Sequence, residues 1–233
     1  MTPRHLAYEF KKGKNMQLEA LVIKIIVSAI PILLAITVHE ASHGYAAKYF
    51  GDLTAEKMGR ISLNPLKHID PVGTILLPAI TLFFGGVLFG WAKAVPVNFG
   101  NLRHPKQDML WVAAAGPASN FVMAVGWSML LGYIKYALGH GIFSPVFPFL
   151  LEMSFIGVTI NVVLMVLNLL PMPPLDGGRI AVSLLPNHLA FKLAQVEKYG
   201  FAILIVLMFT GVLNKIIGPV IDFFQTIILR IFA

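Results

Sequence analysis

Long apolar stretches separated by short polar intervals run along almost the whole chain. Stretches that predict membrane-spanning helices lie at residues 17–49, 109–136, 146–170 and 199–212. Several of them reach the roughly 20 residues needed to cross about 30 Å of hydrocarbon. A last apolar run, 218–233, contains Asp222 and Arg230, and it predicts either a further span or a helix at the membrane interface.

The apolar run at residues 72–91 is interrupted by Pro78 and by the pair Gly85-Gly86. Such breakers favour a broken or re-entrant segment over a straight span. The polar interval before it allows one short strand at residues 60–63. The pattern therefore predicts an all-α polytopic membrane protein with about five to six transmembrane helices, a broken or re-entrant segment, and a short β element as an option near the active site.

Composition places the chain in a lipid bilayer. Of its 233 residues, 57% are hydrophobic and 12% are charged, with a mean hydropathy of +0.78, whereas an ordinary globular domain has about 25% charged residues. We predict a single intramembrane domain over 1–233, in which a polar segment, 1–15, precedes a core at 17–212 and the terminal run 218–233.

The net charge of +7 comes from basic residues scattered through the polar intervals. Because they do not form a dense stripe interleaved with aromatics, the charge does not predict nucleic-acid binding. Cysteine is absent, so any metal site must use His, Asp or Glu.

The sequence HEASH lies near the end of the first apolar run. On a helix, His39 and His43 are separated by about 40° in azimuth and roughly 6 Å in rise, so both imidazoles lie on one face and can chelate one ion. Glu40 follows the first histidine directly, where a carboxylate can take a proton from metal-bound water. The alternative is that the histidines only form hydrogen bonds to neighbouring helices, although ionisable groups at membrane depth are functional by default.

A catalytic zinc with two histidines needs a third protein ligand and an open position for water. Asp176 is the candidate, because it stands in NLLPMPPLDGGRI directly after a predicted span. Three prolines stop the helix there, and Gly177-Gly178 allows close backbone approach. The alternative is an ordinary Asp-Gly turn at the membrane surface.

HEASH, AAAGPASN at 113–120 and NLLPMPPLDGGR, in this order on apolar segments, resemble the site-2 protease family of intramembrane zinc metalloproteases, in its compact form without PDZ and CBS domains. The resemblance implies an enzyme, a zinc metalloendopeptidase, with one Zn²⁺ per chain held by His39, His43 and Asp176. It implies that Glu40 is the general base.

The resemblance also marks residues around this centre. It implies that Asn168 lies near the active site, where it could hold the substrate backbone or an oxyanion; interhelical hydrogen bonding is the alternative. Gly116, Pro117 and Asn120 match the family's GPxxN element, and we interpret Asn120 as structural. For His68 and Asp70, loop capping and support of the site from outside the ligand shell remain alternatives.

The positions of the predicted ligands constrain the topology. The C-terminal ends of the spans before HEASH and before Asp176 must reach the same membrane face, so an even number of crossings separates them. Since 72–91, 109–136 and 146–170 would give three, we predict that 72–91 does not cross.

Charge then sets the orientation, because cytoplasmic loops are enriched in Lys and Arg. With the zinc side cytoplasmic, the inside residues are Lys48, Lys57, Arg60, Lys67, Lys93, Arg103, Lys106, Arg179, Lys192 and Lys198. Lys135 and Lys215 are predicted on the other side. The basic N-terminal segment 1–15 conflicts with this topology, and two explanations stay open: a native start at Met16, or a segment folded back on the first helix.

We therefore expect hydrolysis of peptide bonds in or near the transmembrane segments of membrane-protein substrates, in a prokaryotic inner membrane, with the active site toward the cytoplasm. The expected partners are the substrate and the lipid bilayer, without nucleic acid, and a homo-oligomer is left undecided. A metal-binding membrane transporter and a non-catalytic scaffold are the alternatives. A transporter would not need Glu40, and a scaffold would usually have lost one of the four site residues.

Overall fold

The computed structural model describes the backbone of residues 3–76 and 92–233, and the side chains of 22–74, 76 and 92–233. Within these residues there are eight α-helices: α1 Pro3–Tyr49, α2 Thr54–Lys57, α3 Pro105–Gly139, α4 Phe147–Asn168, α5 Asp176–Leu184, α6 Asn187–Gln195, α7 Glu197–Phe209 and α8 Val212–Phe232. Short 3₁₀ turns lie at Pro65–Lys67 and Phe99–Asn101, and a π-helical turn at Pro71–Leu76.

Four helices in the described part of the chain are long and apolar enough to cross a membrane: Val22–Tyr49 of α1, α3, α4 and α8. This confirms the prediction of an all-α polytopic membrane protein. The predicted span at 199–212 falls mostly on α7, which has 13 residues, is about 20 Å long and is not among these four helices. The left-handed Gly211 (φ 73°) separates α7 from α8, which contains the terminal run except for its last residue, Ala233.

The expected strand at residues 60–63 is not formed, and the described residues contain no β-strand. The Arg60 guanidinium explains the difference, because it donates to the carbonyl oxygens of Lys93 and Ala94 at 3.0 and 3.2 Å. Side-chain to backbone bonds thus take the place of a strand ladder between these two segments.

Helix α3 packs against α1, α4, α5 and α8, and α4 packs against α1 and α8. Close approach of α3 and α4 is possible because Gly157 faces the Trp127 ring, where a Cβ would lie 2.4 Å from the indole. Helix α8 begins where Ile216 and Ile217 line a cavity with Leu169 at the end of α4, and its end reaches the second half of α3. There Ser128 Oγ donates to the Ile228 carbonyl at 3.2 Å.

The two ends of the segment between α1 and α3 are joined by hydrogen bonds. The Arg103 N–H donates to the Phe50 carbonyl at 3.0 Å, and the Lys93 N–H donates to the His68 carbonyl at 2.9 Å. The end of α1 and the start of α3 therefore lie on the same side. The prediction that 72–91 does not cross falls mainly on 77–91, which lie outside the described residues.

His68 and Asp70 stabilise the loop before that segment. His68 Nε2 lies 2.8 Å from the Ser62 carbonyl, and Asp70 Oδ1 accepts the N–H groups of Val72 and Gly73. These bonds match the loop-capping interpretation.

At the N-terminus, residues 3–15 continue α1 without a turn, so the chain does not adopt the folded-back N-terminal segment.

Asp52, three residues after the end of α1, joins the start of the segment between α1 and α3 to its end. Its carboxylate accepts the Thr54 N–H and hydroxyl, the Asn101 amide and the Asn98 N–H, the last at 2.7 Å. Burial works to raise the pKa of Asp52, but these hydrogen bonds outweigh it and hold the pKa below its usual value.

Candidate metal centre

His39, His43 and Asp176 meet at one point between α1, α3 and the start of α5. The Nε2 atoms of the two histidines lie 3.1 Å apart, and Asp176 Oδ2 lies 3.3 Å from His39 Nε2 and 3.4 Å from His43 Nε2. All three side chains are nearly buried. The described side chains contain one group of this kind that could hold a metal ion.

The second nitrogen of each ring is fixed by α3. His43 Nδ1 lies 2.7 Å from the Val112 carbonyl, and His39 Nδ1 lies 2.6 Å from Asn120 Oδ1. A carbonyl oxygen can only accept, so His43 carries its proton on Nδ1 and directs the Nε2 lone pair toward Asp176. A hydrogen bond of this kind orients an imidazole as a metal ligand.

The three atoms fit zinc. Zn–N and Zn–O distances of about 2.0–2.1 Å place tetrahedral ligands about 3.3–3.4 Å apart, close to the observed separations. Asp176 Oδ2 is buried and has no hydrogen-bond partner among the described residues. Two imidazole nitrogens and a buried carboxylate oxygen at these separations could hold one metal ion between them.

Asp176 reaches this position because the chain before it is tightly folded. Gly177 and Gly178 begin α5 against the end of α4: a Cβ on Gly177 would lie 2.3 Å from the Leu169 carbonyl oxygen, and one on Gly178 would lie 2.2 Å from Pro173 N. The two glycines thus allow the first turn of α5 to place Asp176 beside α1.

Glu40 lines the same cavity, which has a volume of about 140 Å³, together with His39, His43, Asp176 and Arg179. Its Oε2 accepts the Val95 N–H at 2.7 Å, so the extended segment after residue 92 fixes the carboxylate. The Arg179 guanidinium lies 3.8 Å from Glu197 and 5.0 Å from the Phe99 ring centroid.

The GPxxN residues of α3 face the histidines. A Cβ on Gly116 would lie 2.5 Å from His43 Nε2 and 2.6 Å from His39 Cε1, so only glycine leaves room for the two rings. Asn120 lies one turn further along, at His39. Pro117 is buried within α3.

Asn168 lines the cavity from the last residue of α4, and its amide donates to the Leu164 carbonyl of its own helix at 3.0 Å. The described structure thus shows no interhelical bond from this amide.

Three groups around the centre were not anticipated from the sequence. Two are backbone groups, the Val112 carbonyl and the Val95 N–H, which no sequence motif could reveal. The third is Asn161, whose Oδ1 accepts from Asn120 at 2.8 Å. An amide in the middle of a largely apolar helix was the available signal, because such residues usually bond across helices in membranes.

Comparison with known proteins agrees with the site. Residues 27–211 match the sequence model described as "Peptidase family M50". The chain is 38% identical over 205 residues to the Bacillus subtilis protein named "Putative zinc metalloprotease YwhC", covering 88% of this chain and 90% of that one. It is 35% identical over 187 residues to Rip2 of Mycolicibacterium smegmatis, under the same zinc metalloprotease description, covering 78% of this chain and 66% of Rip2. No solved structure matches the chain.

Proposed function

Because the chain belongs to peptidase family M50, the site-2 protease family of zinc metalloproteases, we propose that it hydrolyses peptide bonds in or next to transmembrane segments of membrane-protein substrates. Membership of this family shows that the chain is a zinc metalloendopeptidase and an integral membrane protein. It therefore argues against a metal transporter and against a non-catalytic scaffold. The substrate class and the residue roles are the proposal.

The depth of the metal centre carries this proposal. His39 and His43 lie ten and six residues before Tyr49, the end of α1, which corresponds to about 15 and 9 Å along the helix. With the end of α1 at the membrane surface and a hydrocarbon core of about 30 Å, this depth supports a site for both histidines below that surface. A peptide bond can reach this depth if it belongs to a membrane-inserted segment.

His39, His43 and Asp176 would hold the zinc ion in this mechanism. Bound zinc supplies Lewis-acid activation of a water molecule and of the scissile carbonyl. Glu40 accepts the proton of the attacking water and delivers it to the leaving amine nitrogen. The Val95 N–H holds the carboxylate in place during both transfers, and Asn168 would bind the substrate backbone.

The orientation is also part of the proposal. Basic residues surround the end of α1 and the starts of α3 and α5, including Lys48, Lys93, Lys106 and Arg179. Since α8 starts beside the end of α4, Lys215 joins this side and Arg230 falls on the other, which reverses the expectation for Lys215. The excess of Lys and Arg supports a cytoplasmic active site in a prokaryotic inner membrane.

The test uses the full chain reconstituted in liposomes with a single-span substrate protein. Wild type should cut the substrate in or next to its transmembrane segment, located by mass spectrometry. E40Q should retain one zinc per chain and lose cleavage, because an amide cannot accept the proton. Cleavage by E40Q at the wild-type rate would remove Glu40 from the mechanism. Equal cleavage of a soluble, unfolded peptide would overturn the substrate class.

A further inference from the structure

Buried amides connect the metal centre to α4. His39 Nδ1 lies 2.6 Å from Asn120 Oδ1, Asn120 Nδ2 lies 2.8 Å from Asn161 Oδ1, and Asn161 Nδ2 lies 2.8 Å from the Gly157 carbonyl. Asn120 and Asn161 are both 0% exposed. The chain of bonds crosses from α1 through α3 into α4.

Every bond in this chain can run in one direction only. The Gly157 carbonyl accepts and cannot donate, so the Asn161 NH₂ must face it. Asn161 Oδ1 then faces Asn120 and requires a donor, which is the Asn120 NH₂. The Asn120 oxygen is left for His39, so His39 must donate from Nδ1.

The direction matters because a neutral imidazole has one protonated nitrogen and one lone pair. With the proton on Nδ1, the lone pair of His39 lies on Nε2, which faces Asp176 at 3.3 Å. If Asn120 turned over, its NH₂ would meet Nδ1 and the ring proton would move to Nε2, where it would oppose a metal ion. Asn120 alone is held against this by one long bond, from Nδ2 to the Ala35 carbonyl at 3.3 Å.

We propose that Asn161 is a positioning residue of the zinc centre, which fixes the Asn120 amide and through it the tautomer of His39. It acts three bonds away from the ion and does not touch substrate. Leucine matches asparagine in the number and branching of its side-chain heavy atoms, so N161L keeps the shape of the side chain and removes its two hydrogen bonds. The inference rests on the proposed role of His39 as a zinc ligand.

The experiment measures zinc affinity of the purified full chain in detergent, by competition with a chelating dye, so it does not depend on proteolysis. Outer-shell partners of metal-bound histidines typically change affinity by about 10–100-fold, and we expect N161L to bind zinc about tenfold more weakly than wild type. The absorption bands of the Co²⁺-substituted protein should shift as well, because the ligand set is disturbed. N161A carries the same expectation should N161L not fold.

Two controls separate positioning from packing. V162A removes a fully buried side chain next in sequence, and it should lower thermal stability while leaving zinc affinity and the Co²⁺ spectrum unchanged. N161D should retain wild-type affinity, because an oxygen of the introduced carboxyl can still accept from the Asn120 NH₂ and so keep the Asn120 oxygen directed at His39. Zinc affinity of N161L within twofold of wild type, or an equal loss in V162A, would overturn the proposal.

The variant H39A tests separately whether His39 is a zinc ligand, on which the role of Asn161 depends. If H39A binds zinc like wild type, His39 is not a ligand and both proposals fail together. If H39A loses zinc while N161L and N161A do not, the ligand assignment stands and only the positioning role of Asn161 is wrong.

Discussion

Gly116 offers the sharpest test of the metal centre, because a single added methyl group would enter the space between the ligands. Gly116 lies in the middle of α3, where alanine is intrinsically more favourable than glycine by about 1 kcal/mol. Helix propensity therefore predicts that G116A gains stability, whereas the site geometry predicts that it loses zinc. The same substitution should therefore favour the helix and disfavour zinc binding.

The loss follows from the distances. A Cβ at 116 would lie 2.5 Å from His43 Nε2, and ordinary contact begins at about 3.4 Å, so the ring or the helix must move by about 0.9 Å. Metal–ligand distances tolerate about 0.2 Å. The rings cannot simply swing away, because their Nδ1 atoms are bonded to Val112 and Asn120. We expect at least a hundredfold weaker zinc binding, or about 2.8 kcal/mol.

The assay compares zinc content and zinc affinity of purified G116A with those of G126A. Gly126 is the matched control, since it lies on the same helix and an added Cβ would have no described atom within 4 Å. G126A should keep one zinc per chain with wild-type affinity. Both variants should remain helical by circular dichroism and should elute as folded protein.

A folded G116A that holds one zinc per chain with wild-type affinity would refute the reasoning. It would mean that the two histidines do not converge on α3 as described. Loss of zinc in G126A as well would point to a general effect of alanine in α3, and the close approach at Gly116 would then lose its role.

Three further predictions address other parts of the site. D176A should lower zinc stoichiometry measured by mass spectrometry, because the buried carboxylate supplies the third ligand atom; a normal zinc content would exclude it. V95P should reduce kcat with zinc content unchanged, since it deletes the N–H that holds Glu40, whereas V95A keeps that N–H and should keep kcat; equal rates for both would remove the contact from the mechanism. Asp52 has a pKa lowered in the folded protein, so its contribution to stability is present above the unfolded pKa of about 3.9 and is lost as pH falls through the folded value. The difference in melting temperature between wild type and D52N should therefore shrink from pH 7 to pH 3, and a constant difference would contradict this.

The helical spacing of HEASH was enough to place His39 and His43 on one face, because a four-residue step is a local property of a helix. Asp176 was identified as the third ligand from its position after a predicted span, and the likeness to a known family supported it; no local rule could bring it to the histidines across 133 residues. The spans α1, α3 and α4 could be predicted for the same local reason, since hydropathy and length decide them.

The sequence could not reveal the features that depend on where chain segments return. Residues 199–212 read as a span, but Gly211 in the left-handed region ends α7 early and assigns Val212 to α8. The segment at Arg60 read as a strand, but its guanidinium binds the backbone that a strand would pair with. In the first case one residue's backbone conformation, and in the second one residue's hydrogen bonds, override a pattern averaged over many residues.

The motifs HEASH on α1, GPASN on α3 and LDGG at the start of α5 contact one another at the site. Both imidazole rings lie against Gly116 of α3; His39 is bonded to Asn120, four residues after Gly116, and His43 to the Val112 carbonyl, four residues before it. The two helices therefore run antiparallel where they contact each other at the site. Moving either motif by one residue would rotate it about 100° around its helix and would remove either the space for the rings or the acceptor for Nδ1. In this register both Nε2 atoms lie within 3.4 Å of Asp176 Oδ2 at the start of α5, so HEASH and GPASN together form the site at which we propose that His39, His43 and Asp176 hold zinc.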